Sequence, residues 1–276
     1  MSNNFVLVSR RRKHDRRRNL KKSTTTQGTS TQDCEIDPGL VCTLNKTLIE
    51  VRDTSFTKFL LNRLTESLTV LNCDGICEII CYGLGRFSQY RSSKYQLALL
   101  LYLKERYDAR VYVYDPAFCS KETQILRTLH LEIVETNEEG KRIVKTQRDK
   151  TTLVYMPHCS RQLTNNFLYA NWGSGLSNCI LLTNSFSKIV DSCLHRDIAN
   201  TAGYILRIQP YVTEIQLENS FVYEEVFNDL NVHIFTKEDL LKAPSDFWNF
   251  REEPRYLTDE VEFVAAAREN SRYNEQ

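Results

Sequence analysis

Residues 79–90, IICYGLGRFSQY, carry an apolar run directly into two glycines, Gly83 and Gly85. A helix-like run, YQLALLLYLKERY, follows at residues 95–107. The succession of apolar strand, glycine turn and helix is typical of the first unit of a nucleotide-binding α/β sheet. The stretch therefore predicts a strand over residues 76–82, and its glycines either hold a phosphate-bearing ligand or only permit a sharp turn.

Strand-like segments recur along the rest of the chain and alternate with helical patterns. The further strands are predicted within RVYVYDP, LEIVET, TTLVYMPHC, NCILLTNSF, AGYILRIQPYVTEIQL and VHIF. Such alternation predicts βαβ units, so the fold class is α/β: a Rossmann-like doubly wound, mostly parallel sheet with helices on both faces. We expect the strand order 3-2-1-4-5-6. The charged stretch NEEGKRIVKTQRDK suggests a hairpin, and Ser93 with Gln96 suggests a capping box at a helix start.

Composition divides the chain into three parts. Residues 9–22, SRRRKHDRRRNLKK, and the polar run after them cannot bury apolar surface, so residues 1–43 are expected to form a disordered basic and polar tail. The α/β domain is expected over residues 44–245. Residues 246–276, with the segment LTDEVEFVAAARENSRY, are expected to form a C-terminal helical extension.

Basic charge is concentrated in the tail. Residues 1–22 contain nine Lys or Arg and one acid, whereas the whole chain has a net charge of +1, so the remainder is net negative. A nuclear import factor would read two clusters as a targeting signal: Arg10, Arg11, Arg12 and Lys13, and then Arg16, Arg17 and Arg18. The alternative is a solvated tail without a dedicated role. DNA binding is not expected from the folded domain.

Cysteine usage and hydropathy favour an intracellular protein. The chain has nine cysteines, an odd number, and several of them lie inside apolar runs, as expected of reduced buried thiols. No CxxC pair is present, so we expect no metal site. No apolar run approaches the ~20 residues that would span a bilayer, so no membrane association is expected. The predicted location is the cytoplasm, and also the nucleus if the tail is a targeting signal.

Polar residues and glycines follow the predicted strands where ligands bind in such sheets. The candidate ligand-binding residues are Gly83, Gly85, Arg86, Asp115, His158, Asn184 and Ser185. Most would flank a crevice between the first and fourth strands, suited to a phosphate-bearing ligand such as NAD(P) or S-adenosylmethionine. The spacing departs from the dinucleotide pattern, because Ser88 replaces its third glycine and Asp115 comes later than the usual ~20 residues. Asp115 could instead cap the turn at Pro116.

No catalytic constellation is recognisable, and whether the protein is an enzyme stays open. His158 and Cys159 are adjacent, and neighbouring side chains on an extended segment point to opposite faces, which does not suit a nucleophile and its base. A helix beginning at this point would lower the pKa of the Cys159 thiol. The cofactor stays unknown.

Five segments together resemble the SRR-like family, named for the plant Sensitivity to Red-light Reduced protein. They are CYGLGRFSQYRSSKYQLALLLYLKE, VYVYDPAFCSKE, LVYMPHCSRQL, NWGSGLSNCILLTNSF and FNDLNVHIF, spread over about residues 75–236. The residues that match the family's pattern are Gly83, Gly85, Asp115, Pro116, Pro157, His158, Asn171, Trp172, Asn184, Ser185, Asn228 and Asp229.

The resemblance implies a regulatory role, and it specifies no reaction. It implies regulation of circadian clock input, and in animals also of haem biosynthesis, by a protein of the cytoplasm and nucleus. It supplies no catalytic residue, cofactor or partner, so the partners expected are unidentified proteins or a phosphate-bearing small ligand. Direct haem binding, with His158 or Cys159 as axial ligand, is a further alternative.

Overall fold

The fold is taken from a computed structural model that describes residues 38–192 and 194–256. The basic clusters of the predicted tail and the helix predicted within residues 257–273 lie outside these ranges. The first described element is a helix beginning at Pro38. Among the described residues, no helix combines the length and apolar character needed to cross a bilayer.

Seven strands form one sheet with the order β3-β2-β1-β4-β5-β7-β6. The strands are β1 (Gly75–Tyr82), β2 (Arg110–Tyr114), β3 (Glu132–Ile133), β4 (Lys150–Met156), β5 (Cys179–Asn184), β6 (Thr213–Gln216) and β7 (Leu230–Ile234). The first five pair in parallel, which confirms the predicted Rossmann-like doubly wound sheet.

Helices cover both faces of the sheet. They are α1 (Pro38–Arg52), α2 (Ser55–Val70), α3 (Arg91–Tyr107), α4 (Ser120–Thr128), α5 (Arg161–Ala170), α6 (Phe186–Asp191), α7 (His195–Thr201), α8 (Gly203–Ile208), α9 (Glu224–Phe227) and α10 (Lys237–Leu240). Apolar residues of α1–α4 and α9 form the core on one face, and those of α5–α8 form the core on the other. Strand β1 contributes to both, because Ile79 faces the first core and Ile80 the second.

The strand order on the side of the sheet beyond β5 differs from the predicted order. Strand β7 lies between β5 and β6 and runs antiparallel to both. A parallel return requires a crossover of a dozen or more residues, usually built on a full helix. Residues 217–229 contain only the four-residue α9, so the chain returns beside β6 as an antiparallel strand.

Two local predictions were wrong. Residues 137–149 form a loop with one antiparallel bridge, Gln147 to Lys150, instead of a hairpin. Asn171 holds this loop, because its Oδ1 accepts from the Val144 N–H and its Nδ2 donates to the Arg142 carbonyl. The capping box is also absent, since α3 begins at Arg91 and Ser93 lies inside the helix.

Candidate functional site

The carboxyl ends of four parallel strands meet at one edge of the sheet. Strand β1 leads into Gly83, β2 into Asp115 and β4 into His158, while β5 ends at Asn184. Because β1 lies between β2 and β4 and the order reverses there, this edge contains the position where doubly wound sheets bind ligands. The structure thus brings most of the predicted site residues to one edge, which we call the carboxyl edge.

Asp115 holds the glycine turn in place. Its Oδ2 accepts a hydrogen bond of 2.7 Å from the Gly85 N–H, and its Oδ1 accepts one of 2.7 Å from the Ala117 N–H. The second bond is the turn cap that the sequence offered as an alternative to ligand binding. The first joins the ends of β1 and β2 directly. The acid at the end of β2 therefore orders two backbone turns.

The Cys159 thiol fills the space above Gly83. Its sulfur donates to the Tyr82 carbonyl at 3.3 Å, and a Cβ added at Gly83 would lie well inside the van der Waals distance of that sulfur. Gly83 also has φ +76°, which disfavours a side chain. Burial raises the pKa of the Cys159 thiol, with a smaller contribution from Asp115. A helix start at Cys159 would have lowered this pKa, but α5 begins only at Arg161 and the effect of burial is in the opposite direction.

Asn184 connects the end of β5 to the same group of residues. Its Nδ2 donates to the Cys159 carbonyl at 3.0 Å. Its Oδ1 is buried and has no hydrogen-bond partner within the described part of the chain. Buried amide oxygens are normally paired, so this oxygen is an acceptor without a donor at the carboxyl edge.

His158 is exposed and held in an unusual backbone conformation. Its φ of +56° lies in the left-handed region, which few non-glycine residues adopt. The ring nitrogen Nε2 lies 2.9 Å from the Val226 carbonyl in α9. Since a carbonyl only accepts, Nε2 carries the proton of the neutral ring, and Nδ1 is left with its lone pair. In the neutral form of the ring, the bond to Val226 therefore leaves Nδ1 as an oriented acceptor at the carboxyl edge.

The guanidinium group of Arg86 faces a carboxylate of the protein itself. Its Nε lies 3.6 Å from Oε2 of Glu122, a fully buried carboxylate that also accepts from the Ser88 N–H at 2.8 Å and the Cys119 N–H at 3.0 Å. Burial alone would raise the pKa of Glu122, but these hydrogen bonds outweigh it and hold the pKa below its usual value. Sequence reasoning missed Glu122, although its position three residues after Cys119 fits a capping box.

Ser185 belongs to a second cluster at the end of β5. It caps α6 by accepting from the Lys188 N–H, and its hydroxyl donates to Glu214 Oε1 at 2.5 Å. Glu214 on β6 also accepts from the Asn231 amide at 2.6 Å. Burial alone would raise the pKa of Glu214, but the hydrogen bonds from Ser185 and from the N–H and hydroxyl of Ser187 hold it below its usual value. No local sequence pattern marks Glu214, because its partners come from the start of α6 and from β7.

His233 is fully buried in this second cluster. Its ring stacks on Phe186 with centroids 4.0 Å apart, and its Nε2 lies 3.8 Å from Glu214 Oε1. Burial lowers the pKa of His233 to about 4, despite the opposing influence of Glu214. The ring is therefore neutral near pH 7, and the cluster carries only the glutamate charge.

The predicted site residues thus fall into distinct groups. Gly83, Gly85 and Asp115 form one connected set of turns with Cys159, and Asn184 joins it through the Cys159 backbone. His158 reaches across to α9. Arg86 and Ser185 each contact a separate internal carboxylate. At the carboxyl edge, His158 Nδ1 and Asn184 Oδ1 are two acceptors that the described residues leave without a donor.

Two solved structures with a similar course of the chain are methyltransferases. A 23S rRNA methyltransferase, ErmE, has 9% identity and a TM-score of 0.36, over 68% of this chain and 72% of that one. The plantazolicin methyltransferase BpumL has 12% identity and a TM-score of 0.33, over 73% of this chain and 92% of that one. At these values the likeness carries no argument about function.

Curated relatives are considerably closer in sequence. An SRR1-like protein of Mus musculus is 36% identical over 133 residues, which is 47% of this chain and 52% of the relative. An SRR1-like protein of Drosophila melanogaster is 32% identical over 173 residues, 62% of this chain and 59% of the relative. The match therefore spans little more than half the length of either.

The plant protein that gave the resemblance its name also matches. The Arabidopsis thaliana protein SENSITIVITY TO RED LIGHT REDUCED 1 is 27% identical over 220 residues, 74% of this chain and 78% of that protein. The SRR1 domain matches residues 60–234, from helix α2 to the last residue of β7. That range exceeds half of the chain and contains the whole sheet and the carboxyl edge. The chain belongs to the SRR1 domain family.

Proposed function

We propose that the protein is a regulator in a circadian clock input pathway that responds to light, and that it acts by binding. The observation that carries this proposal is the SRR1 domain match, which spans all seven strands. A relative that shares 27% identity over most of both chains is named for sensitivity to red light. A regulatory role in haem biosynthesis is a second output that the family resemblance suggests.

The surface proposed to do this binding is the carboxyl edge around His158. Exposed residues in strained conformations are concentrated at functional sites, and His158 combines exposure with a left-handed backbone. Its ring is oriented by the Val226 carbonyl, so its free acceptor has a defined direction. Beneath it, the bonds of Asp115 and Cys159 keep the strand ends rigid, as a recognition surface requires.

Deleting the gene in the source organism and measuring its rhythms tests the proposal. We expect a changed free-running period in constant conditions, or a weakened response to red light, restored by the wild-type protein. An unchanged period, phase and light response would contradict it. A nuclear as well as a cytoplasmic location is part of the proposal, and a tagged variant without residues 9–22 should then lose its nuclear pool.

A second candidate function is the binding of a nucleotide or S-adenosylmethionine at the carboxyl edge, between the ends of β1 and β4. The observation that favours it is the buried Asn184 Oδ1, which needs a donor such as a hydroxyl or amino group. A ligand at about 100 times its Kd should stabilise the protein by about 2.7 kcal/mol, which thermal unfolding detects.

The matched variants for this screen are Asn184→Ala and Asn45→Ala. Asn45 is exposed on α1 and makes none of the contacts described for the carboxyl edge, so its replacement should leave any ligand-induced shift unchanged. Asn184→Ala should reduce the shift. The second candidate is wrong if no nucleotide or S-adenosylmethionine raises the unfolding temperature, or if both variants respond like the wild type.

A further inference from the structure

Residues 247–256, at the end of the described chain, lie against the end of α5 and against α8, and we call them the strap. The strap begins with one turn of 3₁₀ helix, Phe247–Asn249, and has no helix or strand after it. From Phe250 onward, its backbone makes no hydrogen bond to another backbone group of the described residues. None of its residues is buried. The strap is therefore held on the surface by contacts that involve side chains.

The strap covers two aromatic residues of the domain, Trp172 and Tyr204, which we call the aromatic surface. They are only 3% and 2% exposed, and their ring centroids are 4.9 Å apart. Phe247 and Trp248 each pack on Trp172 with centroids 5.1 Å away, and Phe250 packs on Tyr204 at 5.3 Å. Release of the strap would uncover both rings, and exposed aromatic patches mark protein-interaction sites.

Two hydrogen bonds fix the position of the strap on the aromatic surface. Arg251 Nη2 donates to the Trp172 carbonyl at 2.8 Å. The Tyr204 hydroxyl donates to the Glu252 carbonyl at 2.9 Å. The aromatic surface thus binds three features of an extended segment: aromatic side chains, an arginine that follows them, and a backbone carbonyl next to that arginine.

One donor of the aromatic surface has no acceptor in the strap. The indole Nε1 of Trp172 is buried and has no hydrogen-bond partner within the described part of the chain. Leaving a buried N–H unpaired is unfavourable, and buried indole N–H groups usually have a partner. The fit of the strap is therefore incomplete. A segment that brought an acceptor to this N–H would gain a hydrogen bond that the strap does not make.

The aromatic surface and the strap also differ in their relation to the family domain. Trp172 and Tyr204 lie within the residues that the SRR1 domain matches, 60–234, whereas the strap follows that range. The aromatic surface is therefore part of the domain itself, and the segment that covers it lies outside the domain match.

We propose that the aromatic surface is a peptide-binding site and that the strap occupies it in cis. The partner that fits it is an extended segment of another protein, with aromatic residues, a following arginine and an acceptor for the Trp172 indole. Because the strap is tethered, it competes at high effective concentration and keeps the site closed until it is released. This site goes beyond the proposed function, since it involves none of the residues of the carboxyl edge named above.

A synthetic peptide with the sequence of residues 244–256, PSDFWNFREEPRY, is the probe for this site. Fluorescence anisotropy of the dye-labelled peptide gives its Kd for full-length protein. Trp248→Ala weakens the strap and leaves the aromatic surface intact, so the peptide should bind this variant at least about tenfold more tightly than the wild type. Arg251→Ala removes the bond to the Trp172 carbonyl and should act in the same direction. Leu241→Ala is the matched control: Leu241 is 83% exposed and precedes the strap, so the Kd should stay within about twofold.

Proton–nitrogen NMR shows whether the peptide displaces the strap. The chain has two tryptophans, Trp172 and Trp248, so isotope-labelled Arg251→Ala protein gives two indole N–H signals, and the unlabelled peptide gives none. We expect saturable binding that moves the Trp248 signal to the position of a solvent-exposed indole, because the peptide takes the place of the strap.

Four results would overturn the proposal. They are the absence of peptide binding to both strap variants, an equal effect of Leu241→Ala and the strap variants, binding that leaves the Trp248 signal unmoved, and equal binding of a scrambled peptide of the same composition. A wild-type dimer that the peptide dissociates would also overturn it, because the strap of a second copy would then be the occupant.

Discussion

Replacing Gly83 with alanine should destabilise the protein by about 2–5 kcal/mol, the sum of two costs. The backbone at Gly83 has φ +76°, where a Cβ costs about 1–2 kcal/mol. The new Cβ would also overlap the Cys159 sulfur, and such overpacking costs about 1–3 kcal/mol. Gly75→Ala, at the other end of β1, is the matched control, since nothing lies within 4 Å of its added Cβ.

Urea unfolding followed by circular dichroism gives the free energy of each variant. We expect Gly75→Ala to stay within about 0.5 kcal/mol of the wild type. A loss of ~3 kcal/mol in Gly83→Ala corresponds to a fall in Tm of about 6–12 °C for a domain of this size. The control removes the general effect of losing a glycine from the unfolded state.

A double-mutant cycle identifies the cause of the loss. Cys159→Ala removes the sulfur, so Gly83→Ala in that background should cost only the backbone part, about 1–2 kcal/mol. The coupling energy should then equal the overpacking part, about 1–3 kcal/mol, in favour of the double variant. If Gly83→Ala lowers the free energy of unfolding equally in both backgrounds, contact with the Cys159 sulfur is not the reason that position 83 requires glycine. The explanation given for the contact between β1 and the segment after β4 would then be wrong.

Three further predictions concern titratable groups. Long-range proton–nitrogen NMR should show the neutral His158 ring protonated at Nε2, because that nitrogen faces the Val226 carbonyl; a proton on Nδ1 would contradict the geometry. Glu122→Gln should flatten the loss of stability as pH falls below about 4, since the lowered pKa of Glu122 contributes stability that disappears as the carboxylate is protonated; an unchanged acid profile would refute this. His233 has its pKa lowered to about 4, so the unfolded state binds more protons below pH ~6.5 and stability should fall from there toward pH ~4. His233→Phe should reduce that fall, as measured by urea unfolding at each pH, and a profile like that of the wild type would contradict the assignment.

Much of the architecture could be predicted from alternation alone. Apolar runs that end in Gly83, Asp115, His158 and Asn184 are separated by helical patterns, and parallel strands bring their carboxyl ends to one edge. The gathering of these residues follows from that topology. The direction of β7 could not be predicted from its own residues, because the period of a strand is the same in either direction; only the short link before it indicates an antiparallel return.

The partners within the site could not be predicted in the same way. The carboxylates of Asp115, Glu122 and Glu214 each bind backbone or side chains from other strands or loops, and those pairings depend on register and helix position. From its sequence neighbours alone, a cationic loop residue such as Arg86 is predicted to contact a phosphate. The pairing of Arg86 with a buried glutamate requires the packing of α4 against the glycine turn.

The left-handed conformation of His158 could not be predicted from the sequence either. Proline precedes it, which favours an extended backbone at Met156 but says nothing of the residue after the proline. Only the chain's reversal from β4 toward α5 imposes φ +56° there. Glycine would adopt this conformation without strain. A histidine at this strained and exposed position therefore indicates a functional role for its ring.

Rescue of a gene deletion by two glycine variants tests the proposed function most directly. His158 and His130 are both exposed and both have left-handed backbones, with φ +56° and +55°, but His130 precedes β3 at the opposite edge of the sheet. Glycine suits both positions, so each variant removes an imidazole without backbone strain. We predict that His130→Gly restores the rhythm and light response while His158→Gly, at equal abundance, does not. Full rescue by His158→Gly would contradict the claim that the carboxyl edge is the regulatory surface.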